Sequence, residues 1–225
     1  TATTEIYSLS LHDALPILFN GFIFYVLNNQ ESFAQSGMQF GNFDKAQLYT
    51  MPVGMFGVFG SIILMHSVIS GEIENGIASW VLSKPVSRLS YLLSKYLANT
   101  IGIFLSMIPV QSFITYLLLT GPGSMDIPVT TFVLVVTLLF IHILFFISLT
   151  LLCNVFTNSR IAILAIPFSI FFVQQYAMNL FSKWSDLFPY KLIVNATVLL
   201  AGESVSYLPS LLFTLSIILL SILLS

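Results

Sequence analysis

Apolar residues in this chain fall into blocks of about 20, the length of helix needed to cross a hydrocarbon core of about 30 Å. Polar residues collect between the blocks, whereas a membrane β-barrel would show alternating segments of about 10 residues. The pattern predicts an all-α, polytopic membrane bundle of six transmembrane helices, the first and last of them truncated. The predicted segments are Leu18–Leu27, Tyr49–Ile69, Leu89–Leu119, Thr130–Leu152, Ile161–Leu180 and Ser210–Ser225.

Polar connections separate the predicted helices. The longest are residues 28–48 and Ser182–Pro209, and Gly121-Pro122-Gly123 ends the third segment. Pro109 and Pro167 lie inside apolar blocks, where membrane helices tolerate proline because neighbouring groups satisfy the freed carbonyls. We therefore expect local kinks at these two prolines within continuing helices.

A surface helix is predicted between the second and third segments. At 100° per residue, Ile73, Ile77, Trp80 and Val81 share one face of a helix over Glu72–Lys84. Such an amphipathic helix lies along a membrane surface and does not cross it. Pro85 cannot continue the helix and Ser87 is a good N-cap for the next one, so we expect a tight elbow joining the surface helix to the third span.

Composition supports a membrane location and excludes some functions. Charged residues make up 7% of the chain, against roughly 25% in soluble domains, and the mean hydropathy is +0.97. Lipid must cover part of such a surface. The near-zero net charge gives no electrostatic basis for binding nucleic acid, and the single cysteine, Cys153, excludes an internal disulfide.

The positive-inside rule orients the predicted bundle. The residues that would share the cytoplasmic side are Lys84, Arg88, Lys95 and Arg160, and those on the opposite side are Lys45, Lys183 and Lys191. This places the surface helix in the cytoplasm.

Around this elbow the sequence resembles the permease subunits of type-2 ABC exporters in their multi-helix bacterial form. That family carries a Glu-rich, Gly-containing helix, a Leu-Ser-x-Pro-x-Ser-Arg turn and a lysine at the membrane entry. The matching residues here are Glu72, Glu74, Gly76, Leu82, Ser83, Pro85, Ser87, Arg88 and Lys95. The chain departs from the family pattern in lacking a basic N-terminal segment and a tail after the last helix.

The resemblance implies a permease of a bacterial plasma membrane that forms homo- or heterodimers and binds a separate ABC ATPase subunit. The implied ATPase-coupling residues are Glu72, Glu74, Gly76, Trp80, Ser83, Lys84, Pro85, Ser87 and Arg88. We expect Glu72 and Glu74 to meet basic groups of the ATPase, and Lys84 and Arg88 to contact phospholipid head groups.

Catalytic motifs are missing from the sequence. There is no phosphate-binding loop, no H-E-x-x-H and no G-x-S-x-G, so we predict a transport subunit without enzyme activity, metal or cofactor, with ATP bound by its partner. No Asp, Glu, Lys or Arg lies in the middle of a span, which weakens the case for an ion-coupled transporter. Ion-coupled or facilitative transport and a non-transporting scaffold remain the alternatives.

A few polar residues inside the spans are candidates for a substrate path. They are His142, Gln174 and Gln175. A lone histidine or amide in a span also serves as a hydrogen-bonding contact between helices, and the sequence leaves both roles open.

The first seventeen residues, Thr1–Ile17, resemble the translation of a common sequencing adapter and differ from it only at Ser8. We therefore predict that residues 1–17 are an artefact and that residues 18–225 form a single permease domain. On this interpretation the natural protein extends upstream of Leu18, and the abrupt end of the sixth segment indicates truncation there too.

Overall fold

The computed structural model describes positions 21, 25–26, 29, 41–66, 71–72, 75–84, 87–121, 125–157 and 159–224. Residues 1–17 and most of the predicted first segment lie outside these ranges. The described residues form eight α-helices and one 3₁₀ helix, and no strand occurs among them. The helices are α1 (Asn42–Met65), α2 (Ile77–Leu82), α3 (Arg88–Met107), α4 (Pro109–Leu119), α5 (Val129–Phe156), α6 (Arg160–Leu180), α7 (Lys191–Leu200) and α8 (Leu208–Leu224), with the 3₁₀ helix Ser182–Leu187 before α7. The all-α membrane bundle is confirmed.

Four helical stretches in the described part of the chain are long and apolar enough to cross a membrane. They are Asn42–Met65, Ser90–Leu119, Val129–Phe156 and Arg160–Leu180. These correspond to the predicted second, third, fourth and fifth segments. The sixth predicted segment corresponds to α8, which has 17 residues.

Helix α5 lies at the centre of the bundle. It packs against α1, α3, α6, α7 and α8. Of the residues in its apolar membrane-spanning part, 56% are buried inside the chain. The corresponding share is 19% for the α3–α4 stretch and 22% for α6. The third span and α6 are therefore the two spans least covered by the rest of the described chain.

The start of α1 differs from the prediction. The sequence pattern predicts a polar connection over residues 42–48, but α1 begins at Asn42. The Gly41 amide donates to Asp44 Oδ2 at 2.8 Å, and a carboxylate in the first turn stabilises the positive end of the helix. This local capping extends the helix beyond its apolar part.

The two prolines have different effects on their helices. Pro167 lies inside the uninterrupted helix α6. At Pro109 the helix is interrupted, because α3 ends at Met107 and α4 begins at Pro109. Ile108 between them keeps right-handed helical angles, φ −97° and ψ −53°, so the stretch continues as one span.

The connection predicted over Ser182–Pro209 is the largest correction to the fold. It contains the 3₁₀ helix and α7, and α7 is buried in the bundle against α1 and α5. Ile193 of α7 fits beside Gly54 of α1, where an added Cβ would lie 2.5 Å from Ile193 Cδ1. The glycine thus provides the space that lets α7 enter.

Hydroxyl and amide side chains also hold α7 against its neighbouring helices. Thr197 Oγ1 lies 2.6 Å from Thr50 Oγ1 of α1, and Asn195 Nδ2 donates to Ser210 Oγ of α8 at 2.9 Å. All four side chains are fully or almost fully buried. Thr197 and the Asn195 side-chain nitrogen are therefore paired with two different helices, whereas Asn195 Oδ1 has no hydrogen-bond partner among the described residues.

Candidate functional site

The helix predicted after α1 is shorter than expected and is interrupted. Asn75 closes a helical turn on Gly71, because both its backbone amide and its side-chain Nδ2 donate to the Gly71 carbonyl, at 3.1 and 2.7 Å. Gly76 then has φ +71°, a left-handed conformation that interrupts a helix. Helix α2 covers only Ile77–Leu82. The prediction of one continuous helix over Glu72–Lys84 is therefore wrong.

Two hydrogen bonds close the C-terminal end of helix α2, just after Leu82. Ser83 Oγ donates to the Trp80 carbonyl at 2.6 Å, and the Lys84 amide donates to the Val81 carbonyl at 3.1 Å. Trp80 is 67% exposed, and the Lys84 ammonium lies 5.4 Å from the centre of its ring. Ile77 is also exposed, whereas Val81 packs against the core. The helix thus presents an apolar and cationic face to the outside.

The elbow ends where α3 begins. Ser87 has extended backbone angles, and its Oγ accepts a hydrogen bond from the Ser90 amide at 3.1 Å. The N-cap predicted at Ser87 is confirmed. Arg88 is the first residue of α3. Glu74 and Pro85 lie outside the described residues.

Glu72 connects this surface segment to the third span. Its Oε1 accepts a hydrogen bond from Lys95 Nζ, which also forms an ion pair with it, and its Oε2 accepts from the Tyr91 hydroxyl. The Lys95 ammonium lies 5.7 Å from the centre of the Tyr91 ring. Both oxygens of one carboxylate are thus bound by two side chains of α3.

Desolvation by burial acts to raise the pKa of Glu72. The hydrogen bonds from Lys95 and Tyr91 and the positive charge of Lys95 outweigh it, so the pKa of the carboxyl is lowered from 4.5. The group is therefore ionised at neutral pH. Lys95 is one of the residues that carry the family resemblance, whereas the role of Tyr91 is not predicted from the sequence, although the i, i+4 spacing of the two places them on one face of a helix.

Two of the candidate substrate-path residues meet at the entrance to α7. His142 of α5 is fully buried, and its Nδ1 lies 3.0 Å from the Pro189 carbonyl oxygen. Gln174 of α6 accepts from the Tyr190 amide through Oε1, also at 3.0 Å. Both polar groups of one peptide bond are therefore bound by side chains of two helices. Gln175 is half-buried on α6.

Aromatic rings surround His142. The Phe146 ring lies 5.3 Å away between centroids, and the rings of Phe171 and Tyr190 each lie 6.3 Å away. Because a carbonyl can only accept, His142 Nδ1 must carry the proton, which leaves Nε2 as the acceptor. Nε2 is buried without a hydrogen-bond partner among the described residues.

Another polar contact that the sequence analysis missed closes the end of α1. Asn154 of α5 is buried, and its Nδ2 donates to the carbonyl of Met65, the last residue of α1, at 3.1 Å. Carbonyls in the last turn of a helix have no partner within the helix. The asparagine thus ties α5 to the end of α1 from which the surface segment starts.

Comparison with known proteins assigns the family. A family model described as ABC-2 family transporter protein matches residues 22–222. The chain belongs to the ABC-2 transporter family. It is therefore a membrane transport protein of the ABC class. The matched part of the chain includes the surface segment, the elbow and the contacts at α7. No curated protein and no solved structure matches the chain.

Proposed function

We propose that this chain is the membrane-spanning permease subunit of an ATP-driven exporter, with ATP bound and hydrolysed by a separate subunit. It would work as one half of a homo- or heterodimer in a bacterial plasma membrane. The observation that carries the proposal is the contact of Glu72 with Tyr91 and Lys95. Because both carboxylate oxygens are bound by α3, a displacement of the surface segment would move α3 with it.

In this proposal α2 is the surface on which the ATPase docks. Its exposed side chains Ile77 and Trp80 offer an apolar contact, and Lys84 lies beside the indole ring of Trp80. Glu72 is already paired inside the chain, so it acts as the internal link, and an acidic contact with the ATPase falls to Glu74. Lys84 and Arg88 keep their proposed contact with phospholipid head groups.

The third span is the element that the ATPase would move. ATP binding would draw two ATPase subunits together and displace α2, and Glu72 would pass that displacement to α3. The low burial of the α3–α4 stretch inside the chain supports this role, because a tilt of this stretch would disturb fewer internal contacts than a tilt of the central helix α5. The tilt would bias the equilibrium between inward-open and outward-open states.

The hydrogen bonds of His142 and Gln174 favour one of the two roles considered for them. Each binds the Pro189–Tyr190 peptide, so both position the entrance to α7. We therefore propose that they act as contacts between helices, and we assign the same role to the neighbouring Gln175.

The two tryptophans provide a matched test of the docking surface. Trp80 and Trp184 are 67% and 63% exposed, and they lie in α2 and in the 3₁₀ helix, at opposite ends of the bundle. We expect Trp80→Ser to reduce co-purification of a phosphate-loop ATPase encoded by a neighbouring gene about tenfold or more, as for a central interface tryptophan. Trp184→Ser is expected to leave it unchanged. Equal recovery of the ATPase with both variants would contradict the proposed docking surface.

A further inference from the structure

An apolar groove opens on the side of the bundle where the third span is interrupted. It lies between α4 with the end of α3 and the first turns of α5, and its volume is about 360 Å³. Phe113 and Val133 on its two walls are more than half exposed. The volume lies within the range of about 300–1,000 Å³ that is typical of sites for small molecules.

The inner end of this groove is polar. A second, narrower cavity lies next to the groove, with Ile108, Ser112 and Val136 lining both, and Tyr49 and Gln111 line its far side. The Tyr49 hydroxyl is 3.4 Å from Ser112 Oγ, near the upper limit for a hydrogen bond. Gln111 lines this inner cavity beside Ser112. Three groups that can bind a polar atom therefore meet where the groove ends.

The size and charge of this inner cavity restrict what it can hold. Its volume is about 10 Å³, which is room for about one water-sized group. None of the residues that line either cavity is charged. A phosphate or an ammonium head group is therefore excluded from the inner end by size and by the cost of burying an unpaired charge.

We propose that the groove and the inner cavity form a lateral binding site for an uncharged amphiphile, an apolar molecule that carries one hydroxyl or carbonyl group. The apolar body lies along Phe113 and Val133, and the polar group binds Ser112, Gln111 and the Tyr49 hydroxyl. The ligand enters from the lipid-facing side. The site requires only the membrane bundle, so it goes beyond the proposed function and does not depend on an ATPase.

The test uses the full chain in lipid nanodiscs and two photoactivatable probes, a diazirine-labelled dodecanol and the matching diazirine-labelled dodecane. Cross-linked residues are mapped by mass spectrometry, with unlabelled dodecanol as competitor. We expect dodecanol to label the groove walls in preference to other lipid-facing residues. Val133→Trp, which fills the groove, is expected to abolish this preference. Leu117→Trp is the matched control, since Leu117 is 54% exposed on α4 and does not line the groove.

Ser112→Ala tests the polar end with a change too small to disturb folding. Loss of one hydrogen bond is expected to raise the half-maximal competing concentration of dodecanol about threefold to tenfold. Labelling by the dodecane probe is expected to stay unchanged, because dodecane has no polar group to bind Ser112. Labelling spread evenly over the lipid-facing residues, or identical competition curves for Ser112→Ala and the original chain, would overturn the proposal. A disulfide-linked dimer formed by Val133→Cys in a Cys153→Ser background would overturn it too, because a second copy would then fill the groove.

Discussion

At the scale of single residues, the Glu72 carboxylate accepts hydrogen bonds from Tyr91 and Lys95 of α3. Its pKa is lowered from 4.5, so the folded state gains stability from the ionised form. This contribution is complete above pH 4.5 and is lost as the pH falls through the lower pKa of the folded chain. The contact is therefore fully formed across the neutral range.

Tyr91→Phe separates the two partners of Glu72. The substitution removes one hydrogen bond to the carboxylate and leaves the ion pair with Lys95, so we expect the pKa of Glu72 to rise without reaching that of a carboxyl with no partner. Isotope-edited infrared titration of the glutamate carboxyls measures this, with Glu72→Gln to assign the band.

Tyr176→Phe serves as the control for this titration, because Tyr176 is exposed on α6. An unchanged pKa of Glu72 in Tyr91→Phe would show that the Tyr91 hydroxyl does not stabilise the carboxylate.

At the scale of elements, α7 shows what a sequence pattern cannot reveal. It has only ten residues and lies inside the stretch Ser182–Pro209, which the sequence pattern predicts as a connection. Its burial depends on partners far away along the chain, such as Gly54 and Thr50 of α1, which lie next to Ile193 and Thr197. No local pattern in residues 191–200 encodes these partners.

Gly54→Ala is expected to destabilise the bundle by about 1–3 kcal/mol, the usual cost of overpacking. The added Cβ would lie 2.5 Å from Ile193 Cδ1, and Ile193 is fully buried, so a shift of its side chain would press on other buried groups. Ile193→Val removes that carbon, so the double variant should regain part of the lost stability. The measurement is the free energy of unfolding in mixed micelles.

Gly102→Ala is the matched control in α3, where an added Cβ would meet nothing within 4 Å. We expect it to be neutral or to stabilise the chain by up to about 1 kcal/mol through helix propensity. A Gly54→Ala variant as stable as the original chain would contradict the close packing of α1 against α7.

At the scale of the whole molecule, the apolar blocks predicted the bundle and most of its spans. Helix α6 begins at Arg160 and α5 at Val129, each one residue before its predicted start. These segments are long and uniformly apolar, so their length and composition alone predict them. The surface segment is different. Apolar periodicity alone predicts one helix over Glu72–Lys84, but Gly76 and the side chain of Asn75 interrupt it.

The candidate site was predicted in its position but not in its contacts. The resemblance identified the segment around Glu72 and the entry lysine Lys95, and the structure brings these two side chains together. Periodicity shows which residues share a face of one helix, but it does not show which residue of another segment lies opposite. That pairing depends on the fold of the turn between Glu72 and α3.

The central claim is that movement of the surface segment reaches the third span through Glu72. The most direct measurement is the distance between spin labels at Leu97 of α3 and Ile161 of α6, both exposed, in a Cys153→Ser background with the ATPase bound. We predict that trapping ATP with vanadate changes this distance in the original chain. The change should be absent in Glu72→Lys and restored when Glu72→Lys is combined with Lys95→Glu. A Glu72→Lys complex that retains the ATPase and shows the full change would contradict the account.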